Sequence, residues 1–311
     1  MLLYLVALVG LYILCQWYWE RQMMENLTEK YIFITGCDSG FGKQLARQLD
    51  ARGLRVLATC LTPEGAEQLE KVTSPCLKTT LLDVTSTESV AAATEWVEKQ
   101  VGDKGLWGLV NNAGVSFPLA PNQWLTKDDF AKVLNVNLLG VVDVTLHLLP
   151  LIRRARGRVV NVSSLAGRIA YGGGGYSPSK FALEAFSDSL RREMHPFGVK
   201  VSIIEPGSFL TGLDKLDHTS HLMGSIPLWV PQAGWQNQVF TALWNSINEG
   251  KKNLQIVTDC MEHALISAYP RSRYAAGRDI KFFFIPLSYF PTLLTDYILT
   301  YGHPRPAKSL Y

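Results

Sequence analysis

Short apolar runs alternate along the chain with longer stretches whose apolar positions recur at helical spacing. The runs predict strands at residues 31–35, 55–60, 78–82, 108–111, within 157–163, and at 199–204. The longer stretches predict helices at residues 43–52, 64–71, 87–101, 128–149 and 177–195. Strands that alternate with helices predict a parallel sheet, because each parallel crossover needs a connection of about a dozen residues. Right-handed crossovers then predict an α/β fold, with one doubly wound parallel sheet and helices on both faces.

Residues 1–19 carry no charged side chain. As a helix they would span about 28 Å, close to the hydrocarbon thickness of a bilayer, with the aromatic residues 17–19 at its interface. We therefore predict a membrane anchor at 1–19 and a linker at 20–29. A cleaved signal peptide is the alternative, but such a peptide has a basic start and a small-residue cleavage site. The nearby basic residues Arg21 and Lys30 favour a cytosolic domain. Two basic residues do not decide the side of the membrane, which stays open.

Residues 281–311 form a second apolar segment, which includes the apolar run 282–287. Pro286, Pro291 and Asp296 argue against a regular transmembrane helix there. We expect this segment to associate with the membrane without crossing it, and a second span is the alternative. The chain between the two apolar segments, from residue 30 to residue 280, is predicted to form a single α/β domain.

The composition narrows the functional classes. Of the 311 residues, 47% are hydrophobic and 18% are charged, which suffices for a large core. The formal net charge of +3 is too small, and its charges too scattered, to predict a nucleic-acid partner. The 5 cysteines include no CxxC pair, and among the 6 histidines only His218 and His221 have metal-ligand spacing, without neighbouring ligands. We therefore predict neither a disulfide framework nor a metal site.

Glycines recur in the turn after the first predicted strand, at Gly36, Gly40 and Gly42. The first permits a tight turn, the second lets backbone N–H groups approach a pyrophosphate, and the third lets the helix pack closely on the strand. The N-terminus of the following helix would then face the anion. A flexible turn also uses glycine, but the position after the first strand of the repeating pattern favours a bound dinucleotide.

Several motifs occur in one order along the chain: Thr35-Gly36-x-x-x-Gly40-x-Gly42, Asn111-Asn112-Ala113-Gly114, Ser164, and Tyr176-x-x-x-Lys180. Together they resemble the short-chain dehydrogenase/reductase family over residues 30–210. The segments 33–42, 105–114, 186–193 and 260–265 also resemble its microsomal retinol dehydrogenase and 3α/17β-hydroxysteroid dehydrogenase branch. The resemblance implies a Rossmann-type catalytic domain at residues 30–280 and a nicotinamide cofactor, and it leaves a homodimer open.

Oxidation of an alcohol requires a base for the hydroxyl proton, and a phenol with its ordinary pKa near 10 is rarely ionised at neutral pH. A nearby ammonium group lowers such a pKa, and Tyr176 and Lys180 share one face of a predicted helix. The resemblance implies that Tyr176 is the acid/base and that Lys180 assists it and holds the nicotinamide ribose. It also implies that Ser164 binds the substrate oxygen and that Asn137 supports a proton-relay water. Ser163 is the rival for the serine role, since adjacent residues of an extended chain point in opposite directions.

The resemblance also implies a set of cofactor contacts. These are Gly36, Ser39, Gly40, Phe41, Gly42, Asp83, Asn111, Ala113, Gly114, Tyr176, Lys180, Pro206 and Gly207. An acidic residue after the second strand would bind the ribose 2′-hydroxyl of NAD, but residues 58–62 contain neither an acid nor an arginine. Because the branch contains mostly NAD users, we expect NAD and leave NADP open.

Residues 208–252 correspond to the family's substrate loop and contain Trp229, Trp235 and Trp244. These side chains would line a retinoid- or sterol-sized pocket or pack as core, and residues 217–240 depart most from the pattern of the branch. The resemblance implies NAD-dependent oxidation of retinol or a hydroxysteroid to the aldehyde or ketone at the endoplasmic reticulum membrane. The alternatives are an NADPH-dependent carbonyl reductase and a catalytically silent lipid-binding protein.

Overall fold

Seven parallel strands form one sheet in the order β3-β2-β1-β4-β5-β6-β7. The strands are β1 (Tyr31–Ile34), β2 (Arg55–Cys60), β3 (Lys78–Leu81), β4 (Gly108–Asn111), β5 (Arg158–Val162), β6 (Lys200–Pro206) and β7 (Arg273–Ala276). The computed structural model describes residues 2–170, 172–209 and 253–300. The strand order reverses between β1 and β4, and in such sheets the carboxyl ends of the strands at that point border a ligand-binding crevice. The predicted parallel, doubly wound sheet is confirmed.

Helices cover both faces of this sheet. The α-helices of the described residues are α1 (Leu2–Glu20), α2 (Gly40–Ala51), α3 (Pro63–Glu70), α4 (Thr87–Val101), α5 (Lys127–Leu134), α6 (Val141–Ala155), α7 (Tyr176–Met194), α8 (Gln255–Ile266), α9 (Ile285–Leu287) and α10 (Thr292–Thr300). On one face, α2 and α8 share a core with Ile32 and Ile34 of β1. On the other, α4, α6 and α7 share a core with Phe33 of the same strand. β1 is therefore buried on both faces, as expected of a central parallel strand.

The pattern along the chain did not predict β7 or α8. β7 has only the four residues Arg273–Ala276, and two of them are partly exposed because the strand lies at the edge of the sheet. Such a short stretch contains no apolar run that would distinguish it from a loop. Its place is decided by pairing with β6, in which Ile203 lies opposite Arg273.

The long helix predicted at 128–149 consists of α5 and α6 joined by a π-helical turn, Asn135–Gly140. The helical run Lys127–Ala155 is long and apolar enough to cross a membrane. However, 44% of its apolar stretch is buried, and its second half contributes to the core with α4. We therefore assign this run to the interior of the α/β domain.

The carboxyl end of α1 is held against the α/β domain. Glu20 forms an ion pair with Arg271, and the ring of Trp19 packs edge-on against Tyr269 with 4.4 Å between centroids. The predicted linker is also tied down, because the backbone N–H of Met24 donates to the last carbonyl of α8 at 2.8 Å. The end of α1 and the linker are thus joined by several contacts to the segment between the end of α8 and β7.

Candidate active site

The turn between β1 and α2 is packed so tightly that only glycine fits at two positions. Gly36 has a φ of +70°, and a Cβ there would lie 2.9 Å from Cα of Ala113. A Cβ on Gly42 would lie 2.3 Å from the backbone oxygen of Gly36. α2 begins at Gly40, and its N-cap residue Ser39 makes no side-chain capping hydrogen bond. The amino end of α2 therefore lies beside the end of β4, where its backbone N–H groups can bind a phosphate.

Hydrogen bonds between the ends of β1 and β4 hold this turn in place. The side-chain amide of Asn112 donates to the backbone oxygens of Thr35 at 2.9 Å and of Gly36 at 3.0 Å. In return, Oγ1 of Thr35 accepts from the backbone N–H groups of Asn112 and Ala113, each at 3.0 Å. Thr35 and Asn112 are positioning residues to which the sequence alone gave no role, although both lie within the motifs at 35–42 and 111–114.

The side chains of Asn111 and Asp83, which were predicted to contact the cofactor, form hydrogen bonds with other groups of the protein. Nδ2 of Asn111 donates to Oγ1 of Thr145 at 2.9 Å and to Oδ1 of Asn161 at 2.8 Å. Oδ1 of Asp83 accepts from the backbone N–H of Thr85 at 2.9 Å and from its hydroxyl at 2.7 Å. These side chains shape the ends of β4 and β3, so a cofactor would meet mainly their backbone.

An acidic side chain does reach the end of β2, and it comes from the turn after β1. The Asp38 carboxylate accepts from the backbone N–H of Leu61 at 2.9 Å, and from the N–H and hydroxyl of Thr62 at 3.0 and 2.8 Å. Gly65 leaves room for it, since a Cβ there would lie 2.4 Å from Oδ1 of Asp38. The end of β2 is where dinucleotide-binding folds place the acid that binds the ribose. Sequence reasoning missed Asp38 because it precedes Leu61 by 23 positions.

The segment after β6 closes the crevice near the glycine turn. Pro206 is the last residue of β6, and a Cβ on Gly207 would lie 2.3 Å from Oδ2 of Asp279. The ring of Phe209 packs edge-on against Phe41 at the start of α2, with 5.8 Å between centroids. From residue 210 to residue 252 the predicted substrate loop, with Trp229, Trp235 and Trp244, lies outside the described residues.

Lys180 is buried at the junction of α7 and β5. Its Nζ donates to the backbone oxygen of Val162 at 2.9 Å and lies 5.6 Å from the centre of the Tyr176 ring. The side chain is 5% exposed, and loss of solvent on burial lowers the pKa of Lys180 to about 8. A Cβ on Gly114 would lie 3.8 Å from Nζ of Lys180, so the end of β4 also reaches this point. Tyr176 and Lys180 are therefore brought together as their spacing predicted.

Asn137 lies in the π turn and is fully buried. Its amide donates to the backbone oxygen of Val115 at 2.8 Å and to Oγ of Ser179 at 3.0 Å, and its Oδ1 accepts from the N–H of Val115 at 2.8 Å. A Cβ on Gly114 would lie 3.2 Å from Oδ1 of Asn137. Asn137 thus joins the segment after β4 to α7, one residue before Lys180. Turns of this kind interrupt α-helices frequently at functional sites.

The two candidate serines point in different directions. Oγ of Ser163 donates to Oε1 of Glu184 at 2.9 Å, inside the protein. Ser164 caps a short 3-10 turn that follows β5, and its Oγ accepts from the N–H of Ala166 at 3.1 Å. The Ser163 hydroxyl is therefore committed to a carboxylate, whereas Ser164 stands at the carboxyl end of β5, bordering the crevice.

The sequence matches the family model described as short chain dehydrogenase over residues 30–220. The chain is 58% identical over 317 residues to 17-beta-hydroxysteroid dehydrogenase type 6 of Homo sapiens. It is 57% identical over 321 residues to retinol dehydrogenase 16 of Homo sapiens and 54% identical over 319 residues to retinol dehydrogenase 7 of Rattus norvegicus. Each alignment covers 100% of both chains. The resemblance noted in the motifs is confirmed.

Solved structures share the same fold. A short-chain dehydrogenase from Streptomyces avermitilis has a TM-score of 0.72 and 26% identity, with 86% of this chain and 96% of that chain covered. A short chain dehydrogenase/reductase from Burkholderia phymatum, in complex with NAD, has a TM-score of 0.71 and 21% identity, with 92% and 100% covered. The likeness extends over most of the α/β domain.

The burial of Lys180 predicts a pH-dependent cost to the stability of the cofactor-free protein. Below about pH 8 both folded and unfolded chains carry the proton, so the folded state bears the full desolvation penalty. Between about pH 8 and the ordinary value of 10.5 the folded chain releases its proton first, so the penalty shrinks as the pH rises. We expect Lys180→Met to raise the free energy of unfolding at pH 7 by on the order of 2 kcal/mol, less so at pH 10.

Urea denaturation in detergent solution measures this difference. The exposed Lys200 of β6 provides the control, because Lys200→Met should leave the unfolding free energy close to that of wild type at both pH values. A stabilisation by Lys180→Met that is equal at pH 7 and pH 10 would contradict the assignment of the penalty to the buried ammonium group.

Proposed function

The chain belongs to the short-chain dehydrogenase family, and on that basis we propose that it transfers hydride between a nicotinamide cofactor and retinol or a hydroxysteroid. The product of oxidation is the aldehyde or ketone. The observation that carries this proposal is the position of Lys180, which lies beside the Tyr176 ring and donates to the last carbonyl of β5, two residues before Ser164. Asn137 donates to Ser179, the residue before Lys180. Relatives named retinol dehydrogenase and 17-beta-hydroxysteroid dehydrogenase, which match over their full lengths, support the substrate class.

The crevice between the glycine turn and Lys180 suits a nicotinamide dinucleotide. Backbone N–H groups of Ser39, Gly40 and Phe41 at the amino end of α2 would bind its pyrophosphate. Lys180 would hold the nicotinamide ribose, and the absence of a side chain on Gly114 keeps the space beside Nζ open. When bound, the cofactor accepts the hydride that leaves the substrate carbon.

The chain's own residues handle the proton. Tyr176 takes it from the substrate hydroxyl, and the Lys180 ammonium, 5.6 Å from the ring centre, favours the phenolate that this step needs. Ser164 donates to the substrate oxygen and orients it. Asn137 has its amide and carbonyl fixed by Val115 and Ser179, so it is a rigid support for a water that relays the proton to solvent.

We infer that NAD is preferred over NADP because of Asp38. Its carboxylate stands at the end of β2, where it can accept a hydrogen bond from a ribose 2′-hydroxyl. A 2′-phosphate at the same place would meet a like charge. An NADPH-dependent carbonyl reductase would instead present a basic group there.

We also propose that the protein resides in the endoplasmic reticulum membrane, with α1 as its anchor. The described side chains of α1 include large apolar residues that are mostly exposed: Tyr4 (78%), Leu8 (64%), Leu11 (59%) and Leu14 (63%). The segment from residue 281 to residue 300 exposes a second set: Phe282 (78%), Phe283 (49%), Tyr289 (73%), Phe290 (50%) and Leu293 (88%). Apolar surface of this extent is favoured in contact with lipid. Residues 301–311, the rest of the predicted membrane-associating segment, lie outside the described residues.

Tyr176→Phe removes the proposed acid/base and keeps the ring. We expect it to lower the rate of NADH formation from all-trans-retinol or a 3α-hydroxysteroid roughly 100-fold or more, with NAD still bound. The assay uses purified protein in detergent, and NAD affinity is measured by quenching of tryptophan fluorescence. Equal rates for wild type and variant would refute this mechanism, whereas NAD binding without turnover in the wild type would support the catalytically silent alternative.

Asp38→Asn removes the charge that disfavours a 2′-phosphate. We expect the ratio of kcat/KM with NAD to kcat/KM with NADP to fall roughly tenfold. Asp50→Asn is the matched control, because Asp50 lies near the carboxyl end of α2, the helix that follows Asp38, and accepts from the N–H and hydroxyl of Ser74 in a similar way, at 2.8 and 2.6 Å. A wild-type preference for NADP, or equal ratios in all three proteins, would contradict the role of Asp38.

Alkaline carbonate extraction tests the anchor. Microsomes that contain the full chain should retain it in the pellet, since a spanning helix resists extraction. A chain that begins at Trp17 keeps the contacts of Trp19 and Glu20 with the α/β domain, so it should fold and yet be released. Release of the full chain under the same conditions would rule out α1 as a transmembrane anchor.

A further inference from the structure

A buried ion cluster lies beneath the turn that carries the active-site serine. Arg273 of β7 pairs with Glu184 of α7 at 2.5 Å, with Glu205 of β6 at 2.8 Å and with Asp188 of α7 at 2.9 Å. The Glu205 and Glu184 side chains are only 2% and 7% exposed, so these carboxylates depend on a nearby cation. The cluster therefore holds β6, β7 and α7 in a defined relation.

The same cluster holds the serine turn on both sides. Immediately before Ser164, the hydroxyl of Ser163 donates to Glu184 at 2.9 Å. Shortly after it, Nη1 of Arg168 lies 3.8 Å from Oε1 of Glu205. Ser164 thus stands between two residues that contact one group of charges. A shift at either end of the turn would move the serine.

Arg168 has a second partner, on the C-terminal apolar segment. Its Nη2 donates to the hydroxyl of Tyr289 at 2.8 Å, and its guanidinium lies 5.4 Å from the centre of that ring. Tyr289 and Glu205 are the polar partners of the Arg168 guanidinium within the described residues. Because Glu205 already accepts from Arg273 at 2.8 Å, the 3.8 Å ion pair alone would hold Arg168 weakly.

We propose that Arg168 is a positioning residue for Ser164 and that Tyr289 holds Arg168 in place. This proposal rests on the proposed function, in which Ser164 orients the substrate oxygen. The turn can transmit the effect because it is short: the N–H of Gly167 donates to the oxygen of Ser164 at 3.0 Å, and the N–H of Arg168 donates to the oxygen of Leu165 at 3.0 Å.

The contact also gives the exposed apolar segment a role in catalysis. Tyr289 is 73% exposed, and its neighbours Phe290 and Leu293 are 50% and 88% exposed. The Arg168 side chain is only 18% exposed, so the phenol joins a surface segment to a mostly buried cation. Binding of this segment to a lipid surface would therefore affect the position of Ser164, the residue that binds the hydroxyl of a lipid-soluble alcohol.

Tyr289→Phe tests the contact, because it removes the hydroxyl and keeps the exposed ring. We expect kcat for the alcohol to fall roughly fivefold, as for the loss of one hydrogen bond to a charged group. The Kd for NAD and the Tm should stay at wild-type values, because the variant alters neither the cofactor crevice nor the buried cluster. Arg168→Gln should lower kcat at least as much, and the double variant should lose no more than Arg168→Gln alone.

Tyr269→Phe is the matched control. Tyr269 is also an exposed tyrosine, but it lies before β7 and packs against Trp19 through its ring, which phenylalanine retains. We expect wild-type kcat from this variant. A wild-type kcat in Tyr289→Phe, or a fall accompanied by equally weaker NAD binding and a lower Tm, would overturn the positioning role.

Amide hydrogen exchange over residues 163–170 separates this proposal from the proposed function. Exchange in the substrate-free protein should be faster in Tyr289→Phe than in wild type and in Tyr269→Phe, because the turn loses an outer support. That result would uphold the positioning contact even if the wild type turned over neither retinol nor a hydroxysteroid, in which case the proposed function alone would fail. Unchanged exchange would overturn the contact's role.

Discussion

The candidate site depends on an ammonium group that is held inside the protein. Lys180 gives up almost all contact with water, and the Val162 carbonyl at the end of β5 replaces part of that solvation. This hydrogen bond ties α7 to β5 and so sets where Tyr176 stands. Burial also lowers the pKa of Lys180 to about 8, which opposes the charge that favours a phenolate. Burial of the ammonium group therefore lowers the stability of the folded protein and at the same time keeps a cation beside the tyrosine.

Around this group, the reversal of strand order between β1 and β4 brings together parts of the chain that are far apart in sequence. The Asn112 side chain fastens the glycine turn of β1 to the end of β4. Asp38 extends from that turn to the end of β2. The phosphate, the ribose and the nicotinamide of a dinucleotide would thus each meet a different loop. Their mutual spacing depends on a few hydrogen bonds between these loops.

A second feature of the protein is a set of large apolar side chains that lie on its surface instead of in the core. α1 and the segment after β7 expose large apolar side chains, and each is fastened to the domain by a polar contact. Glu20 pairs with Arg271 at the end of α1, and Tyr289 accepts from Arg168 near the active site. In the proposed membrane arrangement, such contacts would orient the domain relative to lipid, because an apolar segment alone defines depth and not rotation.

The sequence by itself determined the sheet class, six of the strands and the pairing of Tyr176 with Lys180. These follow from local rules: strand and helix periodicity, the conformational freedom of glycine, and the proximity of residues four apart on a helix. Only the tertiary structure decided the place of β7, because four residues at an edge carry no pattern of their own. It also decided that Ser163 donates to Glu184 and that the Asp38 carboxylate lies at the end of β2. The contact of Tyr289 with Arg168, which is 121 positions away in the sequence, likewise depends on the tertiary structure. Each of these depends on atoms that approach only when distant segments pack, so no local pattern contains them.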